Sequence, residues 1–274
     1  MFSELRHFLL IVEHGTFTAA ARQAHLSQPA LTLSVQRLEE QVGASLFHRS
    51  RRGASLTAAG EALVPSARAA LAAVDEGRRA VREVLGLERG QVHLAAGGTA
   101  CTYLLPEALT TFRRAYPGVR LRLSEMTPIE ARGALREGRV DLAVITDPEG
   151  EPWFVDELVL VGAPDADPAG RTFVSFRPGS SARELLDLTF PEADVVMVLG
   201  NIAAVKSHVA MGVGLSLVSR HAVEHDLAAQ RLVEIAHPRT PVRRTLSLVH
   251  RGLERLSPAA AALRERLQAM APRR

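Results

Sequence analysis

Residues 17–63 read FTAAARQAHLSQPALTLSVQRLEEQVGASLFHRSRRGASLTAAGEAL, and the fold turns on how this stretch is divided. Ser27 stands just before an apolar-periodic run and Pro29 falls in its first turn, the start signature of a helix. Leu31, Val35, Leu38 and Val42 then recur at helical spacing and define its buried face. A shorter helix precedes it, capped at Thr18 and running to about Ala24, with Phe17, Ala20, Ala21 and Ala24 turned inward. His25 and Leu26 leave room only for a tight turn, so the pair predicts a helix-turn-helix. At about 100° per residue, the outward face of the longer helix carries Pro29, Leu33, Gln36 and Glu40, flanked by Thr32 and Arg37. In a helix-turn-helix that face enters the major groove. Gln pairs with adenine there, Thr bonds either base type, and an outward Leu meets a thymine methyl. An ordinary solvated helix face also suits Gln and Arg, so the helix pair alone leaves both readings open.

Working outward, Leu5, Phe8, Leu9 and Val12 predict a first amphipathic helix over residues 3–14, ended by His14 and Gly15. On the other side, residues 46–57 read as a short hairpin with a basic tip. Such a wing sets Arg49, Arg51 and Arg52 beside the recognition helix, facing phosphate or the minor groove. From Ala58 to about Leu87 a long helix follows. Leu63, Ala67, Ala70, Val74, Gly77, Val81 and Val84 form the seam of a two-stranded coil, with Pro65 expected to kink or interrupt its first turns. A dimer built on that seam reads two half-sites.

Through helix-turn-helix, wing and linker helix, residues 17–63 resemble the N-terminal module of the LysR-type transcriptional regulators. The resemblance implies that Ser27, Gln28, Pro29, Thr32 and Gln36 meet a double-stranded DNA operator. Family members often place arginine where this chain has Leu33, so the base preference at that point is expected to differ.

Residues 91–274 alternate strands and helices, an α/β pattern. Val140 to Ile145 is nearly all apolar, as a strand in a parallel sheet buried on both faces would be. GGTACTYLLPEALTTFRRAYPGVRL (97–121), LREGRVDLAVI (135–145) and HVAMGVGLSLV (208–218) resemble the family's effector-binding region. That region has two subdomains and looks like a periplasmic binding protein. The expected division is therefore a winged helix-turn-helix at 1–57, a linker helix at 58–90 and an effector domain at 91–274. Within the last, subdomain I takes 91–161 and 239–274, and subdomain II takes 162–238. The acidic excess of 91–161 and the basic excess of 239–274 allow ion pairs between the two parts of subdomain I, with a merely solvated C-terminal helix as the alternative.

The cleft between subdomains should hold the ligand. Gly97-Gly98-Thr99-Ala100 precedes a helix start, where free N–H groups and the positive dipole end favour an anion. The resemblance places Thr99 at an effector-contacting position, with Ala100 beside it, and Asn201 with Ile202 at the matching position of the second subdomain. Pro128, beside Thr127, falls at a third such position, where some relatives carry a hydroxyl instead. Thr127 also fits a Thr-x-x-Glu capping box with Glu130, however, and Ser181 to Glu184 repeats that pattern.

The remaining features bound the class. One cysteine, Cys101, cannot form an intramolecular disulfide, and neither a signal-peptide pattern nor a membrane-length apolar run is present, so a reducing cytoplasm is expected. His221-Ala222-Val223-Glu224-His225 matches a zinc-peptidase pattern in form but lacks a third ligand, and no catalytic constellation or cofactor motif accompanies it. The expected partners are operator DNA, a small-molecule effector and a second copy joined through the linker helix. The family resemblance adds a tetramer, and RNA polymerase where the protein activates. A soluble small-molecule receptor without specific DNA recognition is the alternative.

Overall fold

The computed structural model describes residues 1–50, 53–84 and 90–270. Its first helices are α1 (Phe2–His14), α2 (Phe17–Gln23) and α3 (Gln28–Val42). Thr16 rather than Thr18 caps α2, its hydroxyl accepting from the Ala19 N–H at 3.1 Å. Leu31, Val35 and Leu38 are buried as their spacing predicts, whereas Val42 is 43% exposed. The helix ends at Gly43, whose positive φ stops it just where Val42 would otherwise turn onto the core. The core packs Phe8, Ile11, Ala20, Ala21, Leu31, Val35 and Leu38 against Leu46 and Phe47. His7 Nδ1 and Ser34 Oγ, 2.7 Å apart, tie α1 to α3.

A hairpin of β1 (Phe47–Ser50) and β2 (Gly53–Leu56) follows, then the long helix α4 (Ala58–Val84). Phe47 anchors the hairpin by ring contacts with Phe8 and Phe17. Contrary to expectation, Pro65 does not interrupt α4. Its missing N–H removes one helical bond, but Leu63, Val64, Ala67, Ala70 and Leu71 hold this stretch against the head. Packing outweighs the local defect. Further along, Gly77 and Val81 are exposed. The join between hairpin and α4 is close: the Thr57 N–H donates to the Leu46 carbonyl at 3.0 Å, and the Gly60 N–H to Thr57 Oγ1 at 3.0 Å.

The chain divides into two compact units, Met1–Glu88 with Arg136–Arg139, and Arg89–Leu135 with Val140–Arg274. In the second, β3 (Gln91–Ala96) leads through a π-helical turn (Ala100–Leu104) into α5 (Pro106–Ala115), β4 (Arg120–Glu125), α6 (Pro128–Arg136) and β5 (Leu142–Thr146). The long strand β6 (Glu151–Gly162) precedes β7 (Thr172–Phe176), α7 (Ser181–Thr189), β8 (Asp194–Leu199), α8 (Ile202–Ala210), β9 (Ser216–Ser219), α9 (Arg220–Ala228) and β10 (Val233–Glu234). The chain returns through β11 (Val242–Val249) to α10 (Pro258–Ala269).

The main sheet runs β10-β6-β11-β5-β3-β4, with β9 also on β6. Residues 142–146 pair parallel with β3 but antiparallel with β11, so the sheet is mixed rather than wholly parallel. The reason is β11, which comes back between β6 and β5 instead of crossing over a helix. Alternate residues of β6 face opposite cores: Leu158 and Leu160 meet Leu186 and Phe190, while Val159 and Val161 meet Val205, Val209 and Val223. The expected ion pairs with the basic C-terminal stretch form. Glu151 accepts from Arg264 at 2.6 Å, His250 at 2.8 Å and Gln268 at 2.9 Å. Burial pushes its pKa up, but those bonds and the Arg264 charge prevail and hold it at about 2.

Two outcomes are expected for the head. A Cβ on Gly60 would clash with the Leu46 carbonyl oxygen, so Gly60→Ala should cost about 1–3 kcal/mol and lower the urea midpoint. Burial, more than the opposing Glu4 charge, holds the His7 pKa below its ordinary value of 6.5. The unfolded chain therefore binds this proton more readily, and the His7 contribution is complete above pH 6.5 and lost as pH falls below it. Urea midpoints measured at about pH 7.5 and about pH 5.5 should show the gap between wild type and His7→Gln narrowing in acid.

Candidate nucleic-acid interface and ligand cavity

On α3, Gln28, Pro29, Gln36 and Arg37 are exposed, Leu33 is 49% exposed, and Thr32 is half-buried. Pro29, Leu33 and Gln36 share the outward face with Arg37 and half-buried Thr32 flanking it, as the helical arithmetic gives, whereas Gln28 lies nearer the buried stripe and is exposed because the helix begins there. Ser27 is exposed too, but its hydroxyl accepts from the Ala30 N–H at 3.3 Å and serves as the N-cap. The hairpin is held to this helix by the Leu46 N–H, which donates to Glu39 Oε1 at 2.7 Å. Arg49 lies in β1, paired with Ala54. Arg51 and Arg52 lie outside the described residues. The arrangement offers hydrogen-bonding side chains and one large apolar side chain on a convex helix face, as groove reading requires.

In the second unit, Thr99, Ala100, Thr127, Pro128, Asn201 and Ile202 all line one cavity of about 80 Å³. Its wall is built from helix beginnings: the glycine turn before Ala100, and the N-termini of α6, α7 and α8. Positive dipole ends therefore converge on it, with one N–H each of α6, α7 and α8 taken by a cap. Three of the expected residues already have local work. The Thr127–Glu130 capping box forms, with Glu130 Oε2 accepting from the Thr127 N–H at 2.7 Å and from its hydroxyl at 2.9 Å. The Thr127 hydroxyl in turn accepts from the Glu130 N–H at 3.3 Å. These bonds hold the Glu130 pKa below its ordinary range. Asn201 Oδ1 caps α8 by accepting from the Ala204 N–H at 2.9 Å. Ile202 is buried and holds the start of α8 to the core. Thr99 differs, because its side chain makes no capping bond.

The Thr99 hydroxyl instead accepts from Arg244 Nη2 at 2.9 Å. Arg244 was not among the expected site residues. Its side chain is 5% exposed and reaches from β11 into the cavity wall. Nε and Nη2 both donate to Asp156 Oδ2 on the neighbouring strand β6, at 2.9 and 2.7 Å. Nη1 donates to Ser181 Oγ at 2.7 Å. Ser219 completes the group by donating to Asp156 Oδ1 at 2.6 Å. One guanidinium thus joins Thr99, at the glycine turn, to Ser181, at the start of α7. Ser181 is free for this because Ser180 caps α7, accepting from the Arg183 N–H at 3.4 Å, so a single cap one residue earlier stands in place of the expected Ser181–Glu184 box. The signal that could have found Arg244 is its register. It alternates with buried Leu246 and Leu248 on β11, where a charged residue needs a buried partner.

Arg177 and Glu125 also line the cavity; Arg177 Nη2 donates to Glu130 at 3.3 Å. Cys101 is half-buried beside it. Burial, and then the Glu125 carboxylate, push its thiol up to about 12, which keeps it protonated and unreactive. His221 packs edge-on against Phe154, and among the described residues no three His, Cys, Asp or Glu side chains are placed to hold a metal. Among those residues too, no helix is long and apolar enough to cross a membrane.

Residues 2–61 match the family profile of the bacterial regulatory helix-turn-helix protein, lysR family, and residues 85–272 match the LysR substrate binding domain. The RuBisCO operon transcriptional regulator of Allochromatium vinosum is 33% identical, over 96% of this chain and 93% of that protein. The HTH-type transcriptional regulator CbbR of Rhodospirillum rubrum is 30% identical, over 98% and 96%. In fold, the chain is similar to CbnR, a LysR family transcriptional regulator, with a TM-score of 0.70 over 100% of both chains at 24% identity.

The buried pair sets an energetic expectation. Asp156→Ala leaves the Arg244 charge buried and unpaired, so it should cost about 3–5 kcal/mol. Denaturant unfolding of the wild type and the variant would measure the loss.

Proposed function

The chain belongs to the LysR family of DNA-binding transcriptional regulators with an effector-binding domain, and we propose that α3 reads its operator while the cavity lined by Thr99 and Asn201 governs that reading. The single observation that carries the proposal is the exposed face of α3. Pro29, Leu33 and Gln36 stand together on a helix held by a buried core, flanked by Thr32 and Arg37, with Gln28 and the Ser27 cap at its groove-facing end. Arg49, Arg51 and Arg52 of the hairpin supply contacts to phosphate or the minor groove. Leu33 favours a thymine methyl at its base step.

The linker helix, 58–90, joins two copies along its seam, and two such dimers form a tetramer. Leu63, Ala67 and Ala70 of the expected seam are taken up by the head core instead, so pairing falls to the later seam positions, where exposed Val81 gains by leaving water. The winged head spans 1–57 and the effector domain 91–274. Strands β6 and β11 connect subdomain I (91–161 and 239–274) with subdomain II (162–238). A small anionic effector held by Thr99, Ala100, Thr127, Pro128, Asn201 and Ile202 changes the relative weight of two subunit arrangements. It does so only to the extent that it binds one of them better. The protein is a regulator rather than an enzyme. It works in the cytoplasm, where its operator is, and meets RNA polymerase when it activates.

Operator selection from genomic fragments with the purified protein tests this reading. Wild type should enrich a two-fold-related site. Gln36→Ala should relax one position of that site at a cost of about 1–3 kcal/mol. Arg52→Ala should weaken all sequences alike and reduce the salt slope by about one. A chain that enriches no sequence at any salt concentration is instead a soluble small-molecule receptor.

A further inference from the structure

Arginine has five N–H donors and no acceptor. Arg244 gives two of them to Asp156, one to Thr99 and one to Ser181, which leaves one N–H of Nη1 without a partner among the described residues. A hydroxyl that accepts from a guanidinium still has its own proton to donate. Neither Thr99 nor Ser181 has an acceptor for that proton among the described residues. Two O–H donors and one N–H donor are therefore gathered in the wall of one small cavity. They lack only a shared acceptor.

The charges there point the other way. The Arg244 charge is already neutralised by Asp156, and Arg177 faces Glu130. Glu125 lines the same cavity, lies against Gly98, and has no hydrogen-bond or ion-pair partner among the described residues. The side chains offer directed donors with little free positive charge, and one unpaired carboxylate opposes a second negative charge. A planar carboxylate, with two acceptor oxygens and one charge, satisfies the donors within that limit. A phosphate ester brings a second charge against Glu125.

We propose that the cavity selects a small monocarboxylate and discriminates against phosphorylated dianions, through the hydroxyl pair Thr99 and Ser181 that Arg244 polarises. This inference rests on reading the cavity as the effector site. It is tested on the full chain by isothermal titration at matched ionic strength. The probes are monocarboxylates from acetate to hexanoate, with and without a 2-hydroxyl, against inorganic phosphate and glycerol phosphate. Wild type, Thr99→Val and Ser181→Ala are compared, since these variants keep the Arg244–Asp156 pair intact. Carboxylates should bind at least about tenfold more tightly than the phosphates, and each substitution should weaken them by about tenfold or more. Tighter binding of the phosphates, or carboxylate affinity unmoved by both substitutions, would overturn the ligand class and leave the effector site standing. If no probe binds at tens of millimolar, the ligand class and the effector reading both fall.

Discussion

The buried contact between Arg244 and Asp156 organises the second unit. Placing a guanidinium and a carboxylate in a protein interior costs more than their attraction returns unless nearly every remaining donor and lone pair is engaged. Here Ser219 takes one Asp156 oxygen, Arg244 shares the other between two nitrogens, and the two outer nitrogens reach Ser181 and Thr99. The two charged residues stand opposite each other in the β6–β11 ladder, so the long strands are registered by charge as well as by backbone bonds. The cavity follows from that registration. Its glycine turn and the start of α7 are held to one guanidinium, and the beginnings of α6, α7 and α8 line the shared space.

The head relies on a different constraint. Its helices are short, and helices of this length are marginal without packing. Phe47 joins the hairpin to α1 and α2 through Phe8 and Phe17, and Leu46 takes part in both joins to the neighbouring helices. The outward face of α3 can then be chosen for chemistry rather than for stability, and an exposed leucine can persist there. A large apolar side chain on a solvated helix is readily explained where a methyl-bearing groove is the intended neighbour.

Helix existence and phase were legible because burial imposes a period on apolar residues. Leu31, Val35 and Leu38 could be assigned inward, and Gln36 and Leu33 outward, from spacing alone. Capping was less legible. Thr16 and Thr18 are both plausible caps for α2, and Ser180 and Ser181 for α7, because each choice differs by one residue and depends on where the preceding backbone turns. That α4 runs on through Pro65 has a related reason. A local rule predicts a break, while the Leu63, Ala67 and Leu71 contacts that preserve the helix come from residues far away in the chain.

By itself, the sequence determined the helix-turn-helix with its wing, the outward face of α3 and six of the residues that end up around the cavity, but not Arg244, Ser181, Arg177 or Glu125. Local periodicity, turn chemistry and family register carry that information. Only the tertiary structure decided that Thr99 answers to Arg244 rather than to its own helix, that Ser181 is released by Ser180, and that the central sheet is mixed. The Thr99–Arg244 bond joins residues 145 positions apart and the mixed sheet rests on distant pairs such as Leu246 with Thr146, while the Ser180 cap is local but turns on where the backbone bends; no local pattern encodes which distant strand will return beside which.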